Sequence, residues 1–113
     1  PAGVRASYDA ALARWPDDEL VLFAAAGHLL AREDYSGATT LYRRVLAANP
    51  GHAAVRNNLA NALEALGCHA DALREARAAL AAVTPADELY APIRATVDEL
   101  EAAAPRAPSA ACP

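Results

Sequence analysis

Pro16 and Pro50 stand 34 residues apart, and the residues around them repeat with them. Shifted by that spacing, Tyr8 falls on Tyr42 and then Ala76, Ala11 on Val45 and Ala79, and Ala38 on Ala72. Asp17-Asp18 falls on Gly51-His52. The blocks close alike, with RWPDD at 14–18, AANPGH at 47–52 and AAVTPA at 81–86. A period of this length marks stacked supersecondary units, none of which buries its apolar face alone. Stacking therefore builds the fold, and an interaction surface is a better expectation than an enzyme.

Composition says which units these are. Of the 113 residues, 55% are hydrophobic but only 5% aromatic, because alanine dominates. Alanine is the best helix former and lets helices approach closely. An all-α fold follows. The net charge is −4, and every basic residue is Arg. We read the absence of Lys with the alanine excess as the codon bias of a GC-rich, bacterial genome. The arginines are scattered and outnumbered by acids, so no basic stripe for nucleic acid stands out. The longest apolar run, LVLFAAAGHLLA at 20–31, is shorter than the roughly 18–20 residues of a membrane span. Nothing in the first residues reads as a signal peptide. A soluble protein of the bacterial cytoplasm or periplasm is expected, without membrane insertion or nucleic acid. Cys68 and Cys112 do not make a disulfide framework. A bridge between them would pin the tail to the body, and two unpaired thiols are the expectation.

Apolar spacing places the helices. Val4, Tyr8, Ala11, Leu12 and Trp15 make a helical stripe over 3–15. Pro16 ends it, and Asp17 or Asp18 is positioned to cap a strongly apolar helix over 18–31. Arg32-Glu33-Asp34 makes the turn into a partner helix over 35–48, which Asn49-Pro50-Gly51 stops. A second pair is expected over 52–66 and 69–82, with Gly67 as C-cap between them. Thr84-Pro85-Ala86-Asp87 reads as an N-cap with proline at the first helical position. The helix that follows, to about Ala104, is interrupted by Pro92. It is expected either to kink there or to start late, near Ala91. The tail PRAPSAACP has no periodicity and is expected to be disordered.

These residues resemble the tetratricopeptide repeat family. Block 19–52 sets Leu22, Ala25, Ala26 and Leu29 on its first helix, and Tyr35, Ala38, Tyr42, Val45 and Pro50 on its second. Block 53–86 does the same with Leu59, Ala60, Leu63, Ala72, Ala76 and Ala79. It departs from the pattern at Thr84, where the proline slips to Pro85, and at Arg56, where a large apolar residue is usual. Residues 3–16 resemble the second half of a preceding repeat. Residues 87–104 resemble a capping helix, kinked near Pro92, and 105–113 is the tail. The resemblance implies antiparallel helical hairpins stacked as a right-handed superhelix, an α–α solenoid. The first block enters at its second helix, so the chain is expected to be a piece of a longer protein.

Chemistry has no candidate constellation. His28, His52 and His69 lack the roughly four-ligand spacing of a zinc site, and Cys68-His69 is expected to be a solvent-facing turn. Ser7, Ser36 and Ser109 lack a nucleophile elbow. The five glycines form no phosphate loop. No cofactor, metal or catalytic residue is expected. In this family the first helix of each pair lines a concave groove. Helical spacing sets Leu20, Phe23, Gly27 and Leu30 on one such line, and Asn57, Asn61 and Glu64 on the next, with Asn58 beside them. Asn side chains both donate and accept, so they suit a peptide backbone, and Leu20 and Phe23 suit an apolar side chain. Asn58 matches one position of the basic clamp that some members use for a C-terminal carboxylate. Phe23 and Gly27 stand where that clamp needs Lys and Asn, so no such clamp is expected. The resemblance thus implies a module binding a protein or peptide. The alternatives are packing against a catalytic domain of the same chain, such as a bacterial cysteine peptidase, and a homodimer.

Overall fold

The computed structural model describes residues 2–105, 107–108 and 111–113. Six helices lie among these residues: α1 (Ala2–Arg14), α2 (Glu19–Ala31), α3 (Tyr35–Ala48), α4 (Ala53–Ala65), α5 (His69–Ala81) and α6 (Tyr90–Ala102). No strand occurs among the described residues. Helices α2 and α3 pack as one hairpin and α4 and α5 as a second, with α3 against α4 joining them. Helices α1 and α6 lie at the two ends, against α2 and α5.

The helix ends follow the repeat. The Val21 N–H donates to Asp18 Oδ1 at 3.0 Å, capping α2. One repeat on, His52 does the same for α4, accepting from the Val55 N–H through Nδ1 at 3.2 Å. Asp34 caps α3 by accepting from the Gly37 N–H at 3.0 Å. At the C-terminus of α4, Gly67 has φ +81°. Its N–H reaches the Glu64 carbonyl at 2.9 Å, and the Cys68 N–H reaches that of Leu63 at 2.8 Å. These two bonds make a Schellman motif, which needs the left-handed conformation that glycine adopts without strain. The α2 terminus repeats the motif, with Glu33 to Leu30 at 3.0 Å and Asp34 to Leu29 at 2.8 Å. There, however, the left-handed residue is Glu33, at φ 63°.

Alanine makes the core close. Ala26, Ala38, Ala60, Ala62, Ala72 and Ala76 are fully buried beside Tyr42, Val55, Leu59 and Leu63. Arg56, which stands in the register of the buried Leu22, bonds Glu75 at 2.7 Å and the Pro50 carbonyl at 2.9 Å.

Three expectations are corrected here. Cys68 and Cys112 are not free thiols but a disulfide, with Cα atoms 5.7 Å apart. The tail returns to the α4–α5 turn, which sequence spacing alone does not reveal. Cys68-His69 is therefore no solvent-facing turn. Cys68 is buried, and His69 Nδ1 lies 3.2 Å from Glu64 Oε1. Thr84 is not an N-cap. Its own N–H donates to Asp87 Oδ2 at 2.8 Å, which closes a turn ahead of α6. Helix α6 begins at Tyr90, so Pro92 lies in its first turn. The amides there have no intrahelical partner, and proline is tolerated. The tail forms no helix or strand among its described residues, and Pro108 packs on Gly67. The expectation of disorder at Arg106, Ser109 and Ala110 lies outside the described residues.

Candidate functional site

The candidate residues sit on the first helix of each hairpin, α2 and α4. The 34-residue shift pairs Phe23 with Asn57, Gly27 with Asn61, and Leu30 with Glu64. The face is thus apolar along α2 and amide-rich along α4.

Leu20, at 78% exposure, is the most open large apolar side chain among the described residues. A Cβ at Gly27 would meet nothing within 4 Å, so the face is open there too. Phe23 is half-buried. Its ring stacks on His52 at 5.7 Å and meets Tyr42 edge-on at 6.3 Å. Leu30 is half-buried against the core.

On α4, Asn61 is exposed and Asn57 and Asn58 are half-buried. Asn57 Oδ1 is buried without a hydrogen-bond partner. The Tyr42 hydroxyl is buried and likewise without a partner of hydrogen-bonding geometry. Burial raises its pKa above 10.0, and Asn58 beside it opposes that rise without cancelling it. Phe23 and Asn58, from different hairpins, thus converge on Tyr42. Glu64 is drawn away, toward His69 on α5. Reading the sequence missed Tyr42 and His52 as the supports beneath Phe23. Only the register of His52 with the capping residue Asp18 hints at its place.

What this arrangement offers is shape and hydrogen-bonding groups. Among the described residues no group of three His, Cys, Asp or Glu is placed to hold a metal ion. Among the described residues no helix is long and apolar enough to cross a membrane.

No curated protein matches the sequence. The profile of the family described as Tetratricopeptide repeat matches residues 29–97, which is more than half of the chain and runs from the end of α2 through α3, α4 and α5 into α6. Repeats of this family generally mediate protein–protein interaction and are typically non-catalytic scaffolds. With its 34-residue period, its paired helices and that match, the chain belongs to the tetratricopeptide repeat family.

Proposed function

We propose that this chain binds a peptide or partner protein on the face formed by α2 and α4. The observation that carries the reading is on α2, where Leu20 is open to solvent and Gly27, on the same face, leaves room for a ligand. Asn61 supplies an exposed amide on the neighbouring helix. An apolar side chain would sit against Leu20 and Phe23, and the amides would bond the ligand's backbone. The test is an affinity capture from the source lysate, with mass-spectrometric readout and an Asn57→Ala/Asn61→Ala variant alongside. A partner that the variant loses supports the groove. A partner indifferent to the two changes refutes these residues as contacts.

A second reading has its own support. Val4, Trp15 and Leu20 are 42%, 50% and 78% exposed at the α1 end of the stack. Three of the four exposed large apolar side chains among the described residues thus lie at that end, which suits an element that covers them, such as another domain of a longer bacterial protein or a second copy of this chain. Light scattering of this chain at rising concentration separates the two, since a monomer throughout excludes the second copy.

The Cys68–Cys112 bond favours the periplasm over the cytoplasm, because disulfides persist in oxidising compartments. Thiol trapping in intact cells tests this. Labelling of both cysteines without prior reduction would place the protein in the cytoplasm.

A further inference from the structure

Cys68 occupies the place in the second hairpin that Asp34 holds in the first, 34 residues earlier. Both are N-caps, Asp34 of α3 and Cys68 of α5. Their backbones agree, at φ −84°, ψ 74° for Asp34 and φ −87°, ψ 63° for Cys68. Asp34 fills the position with a carboxylate, which accepts from the Gly37 N–H at 3.0 Å. Cys68 makes no cap bond. Its sulfur is tied to Cys112, and sulfur in that neutral form is a weak acceptor. Helices α2, α3 and α4 are capped by Asp18, Asp34 and His52. Helix α5 has its backbone set for the same cap and lacks it while the bond is closed.

The two sulfurs also differ in access. Cys68 is buried, at 3% exposure, whereas Cys112 is exposed. An incoming thiolate therefore meets Cys112 first. Attack there forms an S–S bond to Cys112, breaks the bond to Cys68 and sends the electron pair to Cys68 Sγ. The leaving sulfur is then an anion at the N-terminus of a 13-residue helix, where Asp34 already places one in the first hairpin. A helix N-terminus lowers a thiol's pKa, and a thiolate of lower pKa leaves faster. Asp71, in the first turn of α5, opposes the anion, but its carboxylate is paired with Arg74. Glu64 is turned to His69, and Arg43 of α3 adds a cation beside the tail.

The tail that this bond holds is not part of the core. Every described residue from Glu101 to Pro113 is exposed. Besides the disulfide, Pro108 packs on the Gly67 backbone, and Arg43 donates to the Pro113 carbonyl at 2.9 Å. Between tail and body lies a hollow of about 230 Å³, walled by Pro105 and Pro108 on one side and by His69, Ala70 and Asp71 on the other. Opening the bond therefore frees the tail without removing any side chain from the core.

We propose that Cys68–Cys112 is a redox-operated clasp, which holds the tail across α3 and the start of α5 when oxidised and which a protein dithiol opens, uncovering that surface. The dithiol's first sulfur attacks Cys112 as described. Its second sulfur, deprotonated, then displaces Cys112 from the mixed disulfide. Two electrons pass from the dithiol, which becomes a disulfide, to the two cysteines. Of the dithiol's two protons, one ends on Cys112 and the other goes to solvent, because Cys68 stays ionised and takes up the missing cap of α5. The clasp shares none of the residues proposed for the α2–α4 face, so either can fail without the other.

The test equilibrates the whole chain with mixtures of reduced and oxidised dithiothreitol, quenches by alkylation and reads the open fraction by mass spectrometry. Asp71→Pro removes the N–H that stands in the register of Gly37, and Asp71→Ala controls for the lost carboxylate. Proline fits there, since Pro92 holds the same third position of α6. The opening constant of Asp71→Pro is expected to be about fivefold or more below that of Asp71→Ala, the worth of one cap bond. Equal constants would overturn the proposal. Two further measurements use the parent chain. Brief treatment with glutathione, which has one thiol, should leave the mixed disulfide on Cys112, and a mixed disulfide on Cys68 would overturn the order of attack. Amide spectra of the isotope-labelled chain on reduction should shift at Gly67–Asp71 and at Cys112, with Ala26 and Tyr42 unmoved. Loss of dispersion throughout would make the bond a structural necessity rather than a clasp.

Discussion

Arg56 and Glu75 form a 2.7 Å ion pair at the two positions that Leu22 and Leu41 fill one repeat earlier. Both leucines are buried in the core. The side chains of the pair are only 22% and 16% exposed, and Arg43 approaches Glu75 from a second side at 3.9 Å. One hairpin therefore holds an apolar pair where the next holds a charged one. Removing one partner of a largely buried pair strands the other, whereas replacing both with apolar residues is often neutral or better. Arg56→Leu alone is expected to cost about 2 kcal/mol, the exposure of the site reducing the full buried-pair penalty. Arg56→Leu/Glu75→Leu is expected to be as stable as the parent or more so. Urea unfolding of the four proteins of the cycle checks this, and a double variant weaker than either single would refute it.

Glu33 and Gly67 occupy the same place in two Schellman motifs, at φ 63° and 81°. A side chain in the left-handed region costs about 1–2 kcal/mol, which glycine avoids. Glu33→Gly is expected to stabilise the protein by about 1 kcal/mol, net of glycine's greater freedom when unfolded. Gly67→Ala is expected to lose more than the conformational term, because its Cβ meets Pro108 and the Ala107 carbonyl at 2.7 and 2.8 Å. Thermal melts of the two variants should shift in opposite directions.

The parts of the fold that the sequence makes legible are local or periodic. Helices α2 to α5 fall where apolar spacing and the prolines at 16 and 50 put them, and the cap at Asp18 follows from residue type. The bond between Cys68 and Cys112 is not legible, since it depends on the path by which the tail returns across α5. The start of α6 is ambiguous because Pro92 is tolerated in a first turn and disruptive later, and spacing alone does not fix the turn at Thr84. The face of α2 and α4 is readable as a list of positions. That Glu64 turns to His69 while Phe23 and Asn58 converge on Tyr42 depends on neighbouring helices.

The disulfide spans 44 residues. Closing a loop of that size removes enough unfolded-state entropy to stabilise the fold by up to about 4 kcal/mol. Cys112→Ser is expected to lower the urea midpoint markedly, and a reducing agent should bring the parent protein to the same midpoint. At about pH 5, where a free Cys68 is a neutral thiol and a weak acceptor, Cys68→Ser should be less harmful than Cys112→Ser. Position 68 is the N-cap of α5, which has no side-chain cap bond, and a serine there can supply one. Equal midpoints for the two serine variants would show that no such cap forms.

Tyr42 makes stability depend on pH at the alkaline end. Burial raises the pKa of its hydroxyl above 10.0, so the folded state resists deprotonation more than the unfolded chain does. Above about pH 10 the unfolded state then binds fewer protons than the folded one, and stability falls as pH rises. The contribution is fully present below pH 10 and is lost as pH climbs through the raised value. The chain has no lysine and both cysteines are bonded, so neither ammonium nor thiol side chains compete in this range, and comparison with Tyr42→Phe cancels the other three tyrosines. Tyr42→Phe should flatten the decline between pH 9 and 11. It should leave neutral-pH stability unchanged or slightly higher, because it deletes a buried hydroxyl whose approach to Asn58 falls short of hydrogen-bonding geometry. Urea midpoints across that range decide the matter. An identical slope in the phenylalanine variant would mean that Tyr42 does not titrate with folding, and a large loss at neutral pH would mean that its hydroxyl is hydrogen-bonded after all.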